Sequence, residues 1–203
     1  MNEKLESASE RAPLGYLSRF ICLLIASMGI GFFALSYGKA DMNEKPCTLI
    51  VLRHAEKGSG ADPELTEQGF KRAQDLAQAL RGIAIKGLFC TEYTRTRQTL
   101  EPLSKLNSVP IETVSADNAP RWRQVVEQIS AGETVVICGH QNTVPLFIEE
   151  AGGEISGLES ISGQRWIPGH VFDRLYVVSW SATEDRTSRK AQTLEIRFGQ
   201  PCE

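Results

Sequence analysis

From Cys47 onward the chain alternates between short runs of β-prone apolar residues and longer stretches whose apolar residues recur at helical spacing. Cys47 to Leu52 is apolar throughout and predicts a first, central strand. Thr66 to Leu80 predicts a helix, with Phe70, Ala73, Leu76, Ala77 and Leu80 on one face, Thr66 as its cap and Gly82 past its end. A second strand lies within Ile83 to Cys90, most clearly from Gly87. A helix kinked at Pro102 then runs to about Leu106. Val109 to Val114 is a short third strand. Asn118 caps a further helix with Pro120 in its first turn and Trp122, Val125, Val126 and Ile129 as its buried stripe. Thr134 to Cys138 is a fourth apolar strand, and Thr143 to Glu150 a short helix. Gly152 to Gly169 has no strong period and reads as a long loop. His170 to Trp180 and Gln192 to Phe198 read as two last strands. The order predicts an α/β fold, with a mainly parallel central sheet and helices on both faces.

Ahead of this domain the pattern changes. Residues 1–19 are polar, and Phe20 to Tyr37 are eighteen residues without a charge. As a helix they would span about 27 Å, close to a hydrocarbon core. Gly38-Lys39-Ala40 follows, with small residues at both positions that a signal peptidase reads. Residues 1–40 are therefore expected to be either a signal peptide cleaved after Ala40 or an apolar helix that anchors the chain in a membrane through residues 20–37. In both cases the domain 47–203, reached through a short linker 41–46, is expected to be exported, to the periplasm in a bacterium.

Composition narrows the function classes. A 203-residue chain with 41% hydrophobic and 23% charged residues supports one folded domain. A net charge of −3 and the absence of a basic stripe argue against nucleic acid as a partner. The five cysteines form no C-x-x-C pair, which argues against a zinc knuckle. Cys22 sits in the apolar run. Cys47, Cys90, Cys138 and Cys202 are either buried thiols or, after export, disulfide partners.

Three of the apolar strands end in polar, chemistry-bearing residues: Arg53-His54, Thr91 to Arg95, and Gly139-His140. In a parallel sheet all three ends lie at one edge, where α/β proteins place their ligands. Two arginines and two histidines then converge. Arginine offers a fixed fork of donors to phosphate, and histidine a nucleophile or base. Arg95 also stands at the start of a helix, where backbone amides favour an anion. Arg97 reads as a solvated helix residue and His170 as an ordinary strand residue.

Leu52-Arg53-His54-Ala55-Glu56 resembles the Arg-His-Gly motif of the histidine phosphatase (phosphoglycerate mutase-like) superfamily. Leu65-Thr66-Glu67-Gln68-Gly69 is similar to its Leu-Thr-x-x-Gly helix start. Thr91 to Thr99 is similar to its Ser-Pro-Leu-x-Arg-Ala-x-Gln-Thr segment, which selects Arg95 over Arg97. Val136 to His140 is similar to the strand bearing its second histidine.

The resemblance implies a phosphoglycerate mutase-like fold and phosphomonoester hydrolysis through a phosphohistidine on His54. Arg53 and Arg95 would hold the phosphate, and His140 would donate to a phosphoryl oxygen. No cofactor and no metal are implied, because the protein's own cations neutralise the phosphate. Thr66 and Gln141 are expected substrate contacts. Two departures stand out: Ala55 replaces the usual glycine, and Gln141 removes the His-Asp pair of the acid phosphatase branch. The leaving-group acid stays open, with Asp117 first and Glu92 and Glu56 as alternatives. A phosphohistidine leaving group would need little acid help. The expected partner is a small phosphorylated molecule such as a phosphosugar, as in small exported members of the superfamily. A phosphoglycerate mutase and a catalytically silent phosphate-binding module are the alternatives.

Overall fold

The computed structural model describes residues 45–185 and 187–201. The apolar segment expected at 20–37, with its cleavage or anchoring, and Cys22 and Cys202 lie outside the described residues. Within them run β1 (Cys47–Arg53), α1 (Glu67–Ala79), β2 (Ile85–Cys90), α2 (Thr94–Asn107), β3 (Ile111–Thr113), α3 (Ala119–Glu127), β4 (Thr134–Gly139) and α4 (Thr143–Glu150). After these come the short β5 (Glu159–Ile161) and β6 (Gln164–Trp166), then β7 (Arg174–Trp180) and β8 (Gln192–Arg197).

The central sheet has the order β3-β2-β4-β1-β7-β8. The four strands before residue 140 are parallel, as expected, because a helix crosses over between each of them. The last two reverse direction: β7 pairs antiparallel with β1, and β8 with β7. The sheet is therefore mixed. β1 lies inside it and is buried on both faces, which explains its unbroken apolar run. Its alternate residues feed two cores. Leu49 and Val51 join Trp122, Val126, Phe147 and Ile148 of α3 and α4. Ile50 and Leu52 join Leu76, Leu100 and Leu103 of α1 and α2 on the other face.

Local chemistry sets the helix ends. Thr66 accepts the Gly69 amide at 3.1 Å and caps α1, and Asn118 accepts the Arg121 amide and caps α3. Helix α2 runs through Pro102 to Asn107. One predicted core position fails: Phe70 is 40% exposed, and the buried side of α1 carries Gly69 and Arg72 instead. The segment 152–169 is not a plain loop, since β5 and β6 form a hairpin within it. Its three-residue strands are largely solvent-exposed, so they carry no apolar alternation to read. Cys90 and Cys138 are buried free thiols, and the buried Cys47 thiol donates to the Ile129 carbonyl at 3.1 Å. Among the described residues no helix is long and apolar enough to cross a membrane.

Candidate active site

The register of the sheet levels the strand ends. Arg53 pairs with Gly139, and Cys90 pairs with Cys138, one residue earlier on the same strand. The next residues, His54, Thr91 and His140, leave the sheet together. The ladder extends one step further, with the His54 amide on the Gly139 carbonyl at 2.9 Å. Gly139 must lack a side chain: a Cβ there would sit 2.6 Å from Thr143 Oγ1 and 2.8 Å from the Phe147 ring. Because β7 is antiparallel to β1, the segment leading into β7 arrives at this same edge.

A cavity of about 590 Å³ opens here, lined among others by Arg53, His54, Arg95, His140, Gln141 and Asp117. The two histidine rings are 5.4 Å apart. His54 is 3% exposed and His140 9%. His54 Nδ1 lies 2.7 Å from its neighbour's carbonyl, Ala55 O. A carbonyl only accepts, so Nδ1 carries the proton and Nε2 keeps its lone pair. Burial, and then the charge of Arg53, pull the His54 pKa down to about 3. Burial, and then Arg95, pull that of His140 down to about 4. Both rings are thus neutral at pH 7, and His54 presents an unprotonated nitrogen among cations.

The nucleophile's loop is tied to the anion ligand. Thr99 Oγ1 accepts the Ala55 amide at 3.0 Å and donates to the Arg95 carbonyl at 2.7 Å. Gln98 accepts the Leu65 amide at 2.8 Å. Glu56, next along, is held by α1: its carbonyl accepts the Thr66 amide, and its carboxylate pairs with the buried Arg72 at 2.5 Å. Arg72 also donates to the carbonyls of Phe198 and Gln200. A Cβ on Gly69 would lie 2.1 Å from the Glu56 carbonyl oxygen, so the Leu-Thr-x-x-Gly pattern marks a close approach of backbone to helix.

Arg53 does two things. It lines the cavity, and its Nη1 donates to the carbonyls of Pro168, Gly169 and Val171 at 3.2, 2.9 and 3.0 Å. Its guanidinium also lies over the Phe172 ring, 4.0 Å from the centroid. Arg95 stacks on Tyr93 and reaches His140 Nδ1 at 3.4 Å.

The other expected site residues separate. Gln141 and Asp117 line the cavity, and Asp117 is exposed there. Thr66 is outside the cavity wall, its hydroxyl engaged as the α1 cap and 3.4 Å from the Glu56 carbonyl. Glu56 faces Arg72 rather than the cavity. Glu92 is held by the Ala116 amide and the Ser115 hydroxyl. Arg97 points away, bonded to Thr113, and His170 is exposed. Tyr93, within the Thr91–Thr99 motif, and Trp166, within the long segment 152–169, also line the wall, as does Leu146, for which the sequence implies no role. Nor does it single out Asp62, which bonds the Thr94 amide at 3.0 Å and stands 3.5 Å from Arg95. Asp62, Tyr93 and Trp166 are placed at the cavity mouth by the loops after β1 and β2 and by the hairpin, and Leu146 by the first turn of α4.

Comparison with known proteins bears on this arrangement. Residues 49–116 match the model of the histidine phosphatase superfamily (branch 1). The phosphatase candidate C1620.13 of Schizosaccharomyces pombe is 27% identical over 81 residues, 36% of this chain. The chain spans only 29% of that relative's length. Among solved structures, the phosphohistidine phosphatase candidate SixA from Nakamurella multipartitia is 24% identical, with a TM-score of 0.52 over 75% of this chain and 96% of that one. The corresponding candidate from Agrobacterium tumefaciens is 21% identical, with a TM-score of 0.53 over 77% and 99%. A SixA protein histidine phosphatase complexed with tungstate is 17% identical, with a TM-score of 0.51 over 74% and 96%. At these identities the structures bear on the fold, which they share. The segment that matches the model of the histidine phosphatase superfamily, residues 49–116, carries Arg53, His54 and Arg95, which meet His140 around one cavity at the sheet edge.

Proposed function

We propose that the chain is a phosphomonoester hydrolase that works through a phosphohistidine on His54. The observation that carries this is the state of His54: Nδ1 is held by Ala55 O, which leaves Nε2 with its lone pair on a ring that lines a cavity together with Arg53, Arg95 and His140. A phosphate ester is anionic, and an attacking group is repelled unless that charge is neutralised. Arg53 and Arg95 stay charged at any working pH and supply the neutralisation. The Nε2 of His54 attacks phosphorus, the alcohol leaves, and water then hydrolyses the phosphohistidine to inorganic phosphate and restores the ring. His140 stabilises a phosphoryl oxygen through this sequence. Asp117, on the cavity wall, is the group we assign to protonate the leaving alcohol.

The reaction is proposed to need no metal. The purified chain should hydrolyse p-nitrophenyl phosphate with EDTA present, and His54→Ala should abolish turnover. Full activity in that variant would sink the phosphohistidine step. The group that enters is proposed to be small: the cavity of about 590 Å³ takes a phosphate with a sugar-sized or side-chain-sized leaving group. Parallel assays with phosphosugars and a phosphohistidine peptide, the latter suggested by the likeness to the SixA structures, would choose between leaving groups. The uncharged run 20–37 supports a site of action across a membrane. A reporter fused to the C-terminus, active only when exported, would test this.

A further inference from the structure

Behind His140 lies a string of hydroxyls that the reaction as described leaves unused. Thr91 Oγ1 is 2.9 Å from His140 Nε2 and 3.0 Å from Thr96 Oγ1. The Thr96 hydroxyl lies 2.7 Å from the Tyr93 carbonyl and 3.0 Å from the Thr91 carbonyl. Both threonines are fully buried.

The direction of the string is set from both ends. At one end stand carbonyls, which only accept, so Thr96 donates to them. At the other, Arg95 Nη2 lies 3.4 Å from His140 Nδ1, and a guanidinium only donates. Nδ1 therefore bears the lone pair and Nε2 the proton. That proton goes to Thr91 Oγ1, and the Thr91 hydroxyl proton goes to Thr96. Each hydroxyl then has one donor and at least one acceptor, with nothing left over.

We propose that Thr91 is a positioning residue for the phosphatase reaction: its hydroxyl takes the His140 Nε2 proton and so turns Nδ1 toward the phosphoryl oxygen of the substrate. The proposal rests on the phosphatase reading above. Because the string ends on main-chain carbonyls, it is no exit for a proton. His140 keeps its Nε2 proton throughout, and all its proton exchange happens at Nδ1.

In the free protein Nδ1 accepts from Arg95. An oxyanion that enters takes Arg95 as its own donor, and Nδ1 then faces that oxygen. It donates once it has gained a proton, which the negative charge of the oxyanion favours. The charged and titratable groups around the ring are Arg95 and Tyr93 at the start of α2, Arg53 and His54 at the end of β1, and Glu92 and Asp62 from the loops. The two histidines are thus set in opposite senses. His54 is fixed by a backbone carbonyl and presents Nε2, whereas His140 is fixed by a side chain and presents Nδ1. Only the second arrangement can be removed by substitution.

The test uses the full chain with ¹⁵N-labelled histidine, comparing unaltered protein, Thr91→Ser and Thr91→Val. Ring nitrogen signals are assigned to His140 by their loss in His140→Gln. At pH 7 the unaltered protein and Thr91→Ser should show His140 protonated at Nε2 and bare at Nδ1. Thr91→Val, which keeps the shape and drops the hydroxyl, should lose that single tautomer. With p-nitrophenyl phosphate its kcat should fall about 10-fold or more, as for a misplaced acid–base group. Its KM should stay within about threefold, and Thr91→Ser should recover most of kcat. A proton on Nδ1 of unaltered His140, or a Thr91→Val variant that keeps both tautomer and kcat, overturns the proposal. Failure of the unaltered chain to hydrolyse any phosphomonoester would instead overturn the phosphatase reading, and the tautomer measurement separates the two.

Discussion

Asp62 Oδ1 lies 3.5 Å from Arg95 Nη1 while the same carboxylate bonds the amide and hydroxyl of Thr94. It stands in for the missing cap of α2, because Tyr93 at that position makes no side-chain cap bond. It also engages one arm of the arginine assigned to the phosphate. Asp62→Ala should therefore act with two signs. Inorganic phosphate should inhibit more strongly, by up to about fivefold, since an exposed ion pair is worth about 1 kcal/mol at most. Stability should fall by about 1 kcal/mol from loss of the cap. Inhibition constants and urea melts read the two separately, and an unchanged inhibition constant would show that Arg95 releases Asp62 freely.

The two buried histidines predict an acid-sensitive fold with an acid-tolerant nucleophile. Their pKa values are held at about 3 and about 4, against 6.5 for a free imidazole. Below 6.5 the unfolded chain binds protons that the folded chain refuses, so stability rises with pH across that window and is level above it. Between pH 6.5 and 4.5 the loss should be on the order of a few kcal/mol, and it should shrink in His140→Asn. The acid limb of kcat/KM should lie below about pH 5, because Nε2 of His54 stays unprotonated to that point. An acid limb near 6.5 would contradict the burial of His54.

Gly69→Ala tests the close approach at the start of α1. Its Cβ would meet the Glu56 carbonyl at 2.1 Å, and backbone cannot swing aside as a side chain does. Destabilisation of about 2–3 kcal/mol is expected. Activity should fall as well, because Glu56 follows the carbonyl that orients His54. Wild-type melting and turnover would show that this loop yields more readily than the packing implies.

Arg72 and Glu56 form a buried pair, 2% and 15% exposed at the side chain. Glu56→Gln should cost about 3 kcal/mol or more, since it leaves the Arg72 charge poorly matched. The double variant Arg72→Met/Glu56→Gln should recover part of that loss, read by urea unfolding.

Arg95→Gln and Arg97→Gln separate the two arginines of one helical turn. The first should lower kcat/KM by about 100-fold, as for loss of a charged donor to a transferring phosphoryl group. The second, bonded to Thr113 outside the cavity, should stay within about threefold. Equal losses would place Arg97 in the site as well.

Much of this arrangement was legible in the order of residues. Apolar runs that stop at Arg53-His54, Thr91 and Gly139-His140 need only a parallel sheet to meet, and the register levels them as expected. Helix α4 occupies Thr143–Glu150, the predicted span, because a short apolar stretch between a polar turn and paired glycines leaves little choice. What stayed hidden depends on contacts across the chain. Helical spacing placed Phe70 inside and left Arg72 out, yet Arg72 is buried because Glu56, sixteen residues earlier, needs a cation. Asp62 reads as one more acid in a glycine-rich loop until the fold sets it against α2. The reversal of β7 follows from its pairing with β1, which no local pattern announces.

That reversal divides labour along the chain. The residues proposed to hold and attack phosphate all come from 53–140, before the sheet changes direction. Trp166 and the carbonyls that grip Arg53 come from 166–171, after it. The hairpin is surface-built and adds nothing to the ladder of the central sheet. New preferences for the leaving group can therefore arise by exchanging β5 and β6 while the reacting centre stays intact. The grip on Arg53 sets the limit: an exchanged segment has to end in carbonyls that still meet that guanidinium.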